Sequence, residues 1–302
     1  MNGIIFTNKN KGGMHRQNNA TTTFTGATEH RADFYFKKAI RTILIDGIKD
    51  ENPRPKWHDG TPAHTLFTTQ YMERYDLSKG EFPMTTVKPT AWKSAIKEMF
   101  WIFQEASNDI NVLEEKYGIK WWRDWVVSDG ETIGYRYGHT VNRYDLMNKL
   151  LNGIKNDPYG RRHIISLWQE QEFTEGEGLH PCAFQTLWTV RGEYLDCTLI
   201  QRSNDVIAAY DVNNTQYAAL LMMVAKHCGY KPGRFVRFVQ NIHIYDRHIE
   251  AAKEFLERES AFDKHPKLIF EPKSDNFFEF TIDDFRIEDY EPKERIKIEL
   301  AV

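Results

Sequence analysis

Residues 180–225, HPCAFQTLWTVRGEYLDCTLIQRSNDVIAAYDVNNTQYAALLMMVA, hold the arrangement on which the fold turns. FQTLWTV and YLDCTLIQ are strand candidates in close succession. TQYAALLMMVAKHCG is a clear helix pattern, and Gly229 is placed to close it as a C-cap. RFVRFVQNIHIY then reads as a further strand. Strands in succession, interspersed with helices, favour an α+β or mixed α/β fold.

Outward from this stretch the same alternation continues. EHRADFYFKKAIRTILIDGI, from Glu29, spaces Phe34, Ile40, Ile43 and Ile48 roughly as a helix face would. After a turn-rich NPRPKWHDGTPA comes strand-like TLFTTQYMERYDL. AWKSAIKEMFWIFQ predicts a buried helix with Ala95, Met99 and Ile102 on one side. GIKWWRDWVVSDGETIGYRYG reads as loop and short helix, LMNKLLNGIKN as an amphipathic helix ending before Asp157-Pro158, and HIISLW as a strand. DRHIEAAKEFLERE predicts another helix, and both FEFTIDDFRIEDY and IKIELAV near the end read as strands. Residues 1–28, rich in Asn, Thr, Gly and Lys without periodicity, are expected to be a mobile extension, leaving 29–302 as one domain.

Composition narrows the function classes. With 43 acidic and 40 basic side chains the net charge is −3, which excludes a globally basic nucleic-acid binder but not a local basic pocket. Charged residues at 27% beside 14% aromatics exclude disorder. Three cysteines, an odd number, argue against a disulfide framework and for a reducing cytosolic setting. No apolar run approaches the roughly 20 residues of a membrane span. The N-terminus has no apolar core of signal-peptide length, so a cytoplasmic protein is expected.

Four places carry candidate chemistry. Cys182 follows Pro181 at the start of a strand, where a thiol can be presented at a strand end. Gln201-Arg202-Ser203-Asn204-Asp205 packs a guanidinium, a hydroxyl, amides and a carboxylate together. Arg161-Arg162 follows the turn Asp157-Pro158-Tyr159-Gly160. His243-Ile244-Tyr245 alternates along a strand, so His243 and Tyr245 face one side. A cysteine nucleophile needs its thiolate, which a nearby Arg favours, and paired arginines suit a phosphate dianion. The plainer readings stand beside these. A lone cysteine is most often a small buried hydrophobe, and Cys197 and Cys228 are read that way outright. An Arg-Arg pair is mostly a solvated surface feature, and most tryptophans are core. No Gly-rich phosphate loop and no metal-ligand spacing occur, so no metal is expected.

Pro181-Cys182, then Gln201-Arg202-Ser203-Asn204-Asp205, then Asn213 eight residues past the Asp, closely resembles the thymidylate synthase family. Glu98 in KEMFW, Trp122 and Trp125 in WRDW, Tyr137-Gly138, Asp157-Pro158 with Arg161-Arg162, His243-Ile244-Tyr245 and the tail FTIDDFRIEDYEPKERIKIELAV match in the same order. The likeness covers roughly residues 30–302. It implies a large mixed sheet with flanking helices, paired back to back with a second copy as a homodimer. It further implies that dUMP is methylated reductively to dTMP, with 5,10-methylenetetrahydrofolate giving both the methylene and the hydride. Cys182 would attack C6 of dUMP, while Glu98, an ordered water and Tyr137 manage proton transfers. Arg202 and Ser203 would hold the phosphate and keep Cys182 activated, Arg161 and Arg162 would reach it from the partner subunit, and Arg54 is the candidate for a further phosphate arginine. His243 and Tyr245 would bind the deoxyribose hydroxyl, Asp205 the pterin, Trp122 and Trp125 the folate side, and Val302 would close over both ligands. The Asn213 amide can complement the C4 carbonyl and N3–H of uracil together, where the related cytidylate hydroxymethylases use Asp. Neither a membrane nor a nucleic acid is called for.

Several family positions differ. Ala183 follows the nucleophile where a His is usual, Leu187 stands for a Gln, and Gln169 for an Asn. Ala209-Tyr210-Asp211-Val212 replaces Gly-x-Pro-Phe, and His139-Thr140-Val141-Asn142 departs from the usual x-Gln-Trp-Arg. The interval from Tyr137 to Arg161 is short, which implies a trimmed small domain. These changes gather on the folate side and around C5, so a dUMP hydroxymethylase, which hydrates the exocyclic methylene and releases tetrahydrofolate, stays open as the second reading. A non-catalytic nucleotide- or RNA-binding homologue is the third. Trp122, Trp125 and the tail favour reduction, and the retained Cys182 and Arg202 favour catalysis.

Overall fold

The computed structural model describes residues 30–173, 178–261 and 265–302; the extension expected over 1–28 lies outside them. Its centre is a six-stranded sheet of order β1-β2-β6-β5-β4-β3, built from β1 (Ile48–Lys49), β2 (Thr65–Asp76), β3 (Ile164–Ser166), β4 (Ala183–Arg191), β5 (Tyr194–Asp205) and β6 (Lys231–Tyr245). β4 and β5 form an antiparallel hairpin with Arg191 opposite Tyr194, and the turn is made at Gly192, whose φ of 63° costs glycine nothing. β5 and β6 pair in parallel, and a parallel pair needs a long crossover. That crossover is α6 (Tyr210–Cys228), apolar on nearly all sides because it lies between the sheet and α2 (Trp92–Met99). Gly229 closes it in the left-handed conformation at φ 79°, as expected.

The helices gather on one face of the sheet. α1 (Arg31–Asp46) packs on β2 and β6 and against α7 (Ile249–Glu257). A π-helical turn, Phe100–Gln104, extends α2 and buries Phe100, Trp101, Ile102 and Phe103. α3 (Ile110–Tyr117), α4 (Gly138–Arg143) and α5 (Leu146–Asn156) surround that aromatic mass, and a small ladder of β7 (Lys267–Phe270) with β8 (Phe285–Glu288) closes the side. The opposite face of the large sheet stays partly open. Ile164 pairs with Leu187, and Met72 with Phe238 beside Ile200, so these apolar side chains share one outward surface. Met72 is 61% exposed and Ile164 44%.

Three expectations need correction. The buried face of α1 is Phe36, Ala39, Ile40 and Ile43; Phe34 is 38% exposed, and Ile48 lies past the helix end, 66% exposed. The last segment, IKIELAV, is not a strand. Ile296 and Ile298 pack onto the cluster that includes Phe255 of α7, so their alternation reports packing across a helix. FEFTIDDFRIEDY is strand only over β8; before it lie two short 3₁₀ turns, the second closed by a Thr281–Asp284 capping box.

Candidate active site

Cys182 stands at the end of the sheet, immediately before β4, where the pairing with β5 shifts between Ala183 and Gln185. Such a bulge turns the strand end and re-aims the side chains beside it. The neighbouring strand supplies Arg202, whose Nη2 is 3.4 Å from Cys182 Sγ. The guanidinium is held in place by Pro181 O at 3.1 Å from Nε and His180 O at 2.8 Å from Nη2. Burial pushes the Cys182 thiol up, and the positive charges of Arg202 and Arg54 pull against that. Arg54, on the exposed loop before β2, also acts on the rings of Tyr245 and His180. It therefore belongs to the same positive field. Val302 exchanges two main-chain hydrogen bonds with Lys56, at 2.7 and 2.9 Å, two residues from Arg54.

Tyr137 reaches Cys182 from the helical side: its hydroxyl accepts the Cys182 backbone N–H at 3.1 Å. It does so from a backbone at φ 49°, ψ −108°, which a bulky residue rarely adopts. A Cβ at the next position, Gly138, would sit 1.9 Å from Ser107 O, so only glycine allows this approach. Trp122 packs edge-on to the Tyr137 ring at 5.2 Å and to Trp125 at 5.8 Å.

Glu98, on α2, is buried beneath these rings. Trp121 Nε1 donates to its Oε2 at 2.8 Å and Trp122 Nε1 to its Oε1 at 2.9 Å, and the nearby Gln216 side chain of α6 also favours the charged form. Burial pushes the carboxyl up to about 7, against the pull of those side chains. A carboxyl poised there can take or give a proton at neutral pH. Trp121 and Gln216 carry no motif signal; Trp121 is one of three indoles in WWRDW, and Gln216 is the last of four consecutive polar residues at the start of α6.

Asn213, in the first turn of α6, is gripped by side-chain amides. Its Oδ1 accepts from Gln201 Nε2 at 3.0 Å and Asn204 Nδ2 at 2.9 Å, and its Nδ2 donates to Gln216 Oε1 at 2.9 Å. The half-buried Ser203 lies beside Asn241 in the β5–β6 ladder. Asp205 pairs with His243 in that ladder; its Oδ1 accepts the N–H groups of Ile207 and Ala208, while Oδ2 lies 4.0 Å from His248 Nδ1. His243 Nδ1 meets Asn241 Oδ1 at 3.0 Å, burial pushes the pKa of the ring down, and Tyr245 stands edge-on to it at 5.2 Å. Arg161 and Arg162 stand outside these contacts. Both are exposed, and neither forms a hydrogen bond or ion pair among the described residues.

Among those residues no group of His, Cys, Asp and Glu could hold a metal ion, and no helix is long and apolar enough to cross a membrane. The thymidylate synthase family model matches residues 34–302. A thymidylate synthase from Lactococcus lactis subsp. lactis is 50% identical over 278 residues, 90% of this chain and 99% of that protein. One from Streptococcus pneumoniae is 49% identical over the same shares. The solved structure of thermostable thymidylate synthase A from Bacillus subtilis superposes with a TM-score of 0.83 at 38% identity, covering 90% and 99% of the two chains. With fold, motifs and relatives in agreement, this chain belongs to the thymidylate synthase family.

Proposed function

We propose that the protein converts dUMP and 5,10-methylenetetrahydrofolate to dTMP and dihydrofolate. The observation that carries this reading is the joining of a cysteine–arginine pair to a buried, proton-active carboxyl: Cys182 Sγ lies 3.4 Å from Arg202, and Tyr137 and Trp122 link that pair to Glu98. Cys182 attacks C6 of the pyrimidine, and the charge that develops toward C5 makes that carbon the nucleophile for the folate methylene. Glu98 and Tyr137 handle the protons, Asn213 reads the base, and Arg202, Ser203 and Arg54 hold the phosphate. His243 and Tyr245 take the sugar hydroxyl. Trp125, half-buried beside Trp122, offers an aromatic surface to the folate, with Asp205 at the pterin and Val302 over the mouth.

The working unit is a homodimer of residues 29–302, with the interval from Tyr137 to Arg161 as a shortened insertion. The open apolar sheet face supports pairing, because a sheet normally covers such a face with another layer. The unengaged Arg161 and Arg162 are then free to complete the partner's phosphate site. The free chain is expected in the cytoplasm.

Mixing protein, dUMP and methylenetetrahydrofolate should raise the dihydrofolate absorbance. A 5-hydroxymethyl product without that rise would replace this reading with hydroxymethylation. Cys182→Ala should end turnover while dUMP binding persists by calorimetry, since the phosphate grip is separate; loss of both would count against Cys182 as nucleophile.

A further inference from the structure

We propose that Arg247 is a positioning residue for the folate end of the site: held ready against the loop before β2, it takes the carboxylate of Glu299 and so seats the last four residues, Val302 among them. This rests on the reading of Val302 as the cover over the ligands and adds what keeps it in place.

A chain end is poorly ordered unless something ties it down. Along this tail the ties change in kind. Ile296 and Ile298 are packed in an apolar cluster, and Arg258 Nη1 holds Glu294 O at 2.6 Å. From Glu299 onward the ties are polar. Arg247 Nη1 donates to Glu299 Oε2 at 2.9 Å, the His58 N–H donates to Oε1 at 3.3 Å, and Val302 exchanges its main-chain bonds with Lys56. His248 Nε2 lies 2.7 Å from Glu299 O; a carbonyl only accepts, so that nitrogen carries the hydrogen. The same ring stands 4.0 Å from Asp205 Oδ2, so this seat adjoins the group read as the pterin contact.

Arg247 is built to receive the tail. Its guanidinium lies over the Trp57 ring, 4.8 Å from the centroid, and Nη2 donates to Asp59 Oδ2 at 2.6 Å and to Thr61 Oγ1 at 2.9 Å. Trp57 is itself buried. It stands edge-on to Tyr245 at 5.6 Å and to His248 at 5.5 Å, and its Nε1 donates to Asp246 Oδ1 at 3.1 Å. Three contacts on the guanidinium thus come from a loop rooted in the core, and the contact with Glu299 is the one that the tail supplies. An exposed ion pair normally gains little, because ordering two long side chains offsets the attraction. Here one partner is ordered beforehand, so more of the attraction is left to hold the tail.

The test compares Arg247→Met, Glu299→Gln and the two combined. Three quantities are read: the rate at which carboxypeptidase releases Val302 from the free protein, kcat/KM for methylenetetrahydrofolate, and Kd for dUMP by calorimetry. Each single variant should speed release about fivefold and lower kcat/KM about fivefold, with Kd for dUMP within about twofold and Tm essentially unchanged. Since the two side chains act through each other, the double variant should be no worse than either single one. Glu299→Gln leaves Arg247 and its loop as they are, so it carries the same expectation should the methionine variant fail to fold. Additive losses in the double variant, or release no faster in the single ones, would overturn the proposal. A chain ending at Ala301 tells its failure from that of the underlying reading. If that chain loses kcat/KM while the two variants keep theirs, the role of Arg247 alone is overturned. If it keeps full kcat/KM, Val302 is no cover, and the role of Arg247 falls with it.

Discussion

Glu98 shows how a single side chain is tuned. Its carboxyl is pushed up to about 7 by burial, and the indoles of Trp122 and Trp121 restrain the shift by donating to the charged form. Removing one donor must therefore raise it further. Trp121→Phe should move the limb of the kcat/KM pH profile that lies near 7 to higher pH in a protein that still folds; a limb that stays in place would separate Glu98 from that limb. Residues of this kind divide by how they show in a sequence. Cys182, Arg202, Asn213 and His243 sit in contiguous motifs, so their types and spacing were enough. Trp121 and Gln216 were hidden because their surroundings come from tertiary packing, which sets the segment after α3 and the start of α6 against α2.

At the scale of elements, α6 begins without a capping side chain on Ala209. A fully buried ion pair instead anchors its first turn to the sheet: Glu73 of β2 with Arg237 of β6. Asn214 Nδ2 donates to Glu73 Oε1 at 3.1 Å, the Tyr210 hydroxyl donates to Oε2, and Arg237 Nη1 reaches Tyr210 O at 3.2 Å. Breaking one half strands a buried charge, so Arg237→Met should cost about 3–5 kcal/mol in urea unfolding. Glu73→Leu added to it should recover most of that loss, since an apolar pair of similar volume removes the stranded charge. A double variant as unstable as the single one would show that the network contributes more than charge balance. The order of elements was legible because β4, β5 and β6 are regular apolar runs with α6 between. The face of α1 and the state of the tail were not. Both depend on what lies opposite: Phe34 fits a helical spacing but meets no core, and Ile296 and Ile298 alternate like a strand while packing on α7.

For the whole molecule, the half-covered sheet face and the exposed Arg161 and Arg162 lead to one experiment. A Cys182→Ala subunit mixed with an Arg161→Ala subunit should regain activity, because one site per heterodimer then combines an intact thiol with an intact partner arginine. Heterodimers that form yet stay inactive would place Arg161 outside the neighbouring site. Spacing marked these arginines as a pair, and the family resemblance assigned them to the partner's phosphate site, which takes a second chain to form.

The indoles around Glu98 have an optical consequence. Trp121 and Trp122 both end on a carboxyl pushed up to about 7, and indole emission responds to a charge at its ring nitrogen. The protein thus carries an internal indicator. Its fluorescence should titrate with a midpoint near 7, and Glu98→Gln should flatten that step while other transitions persist. A step of undiminished size in the glutamine variant would assign the signal elsewhere. If it holds, the state of the proton can be followed by eye of a fluorimeter, without substrate and in real time.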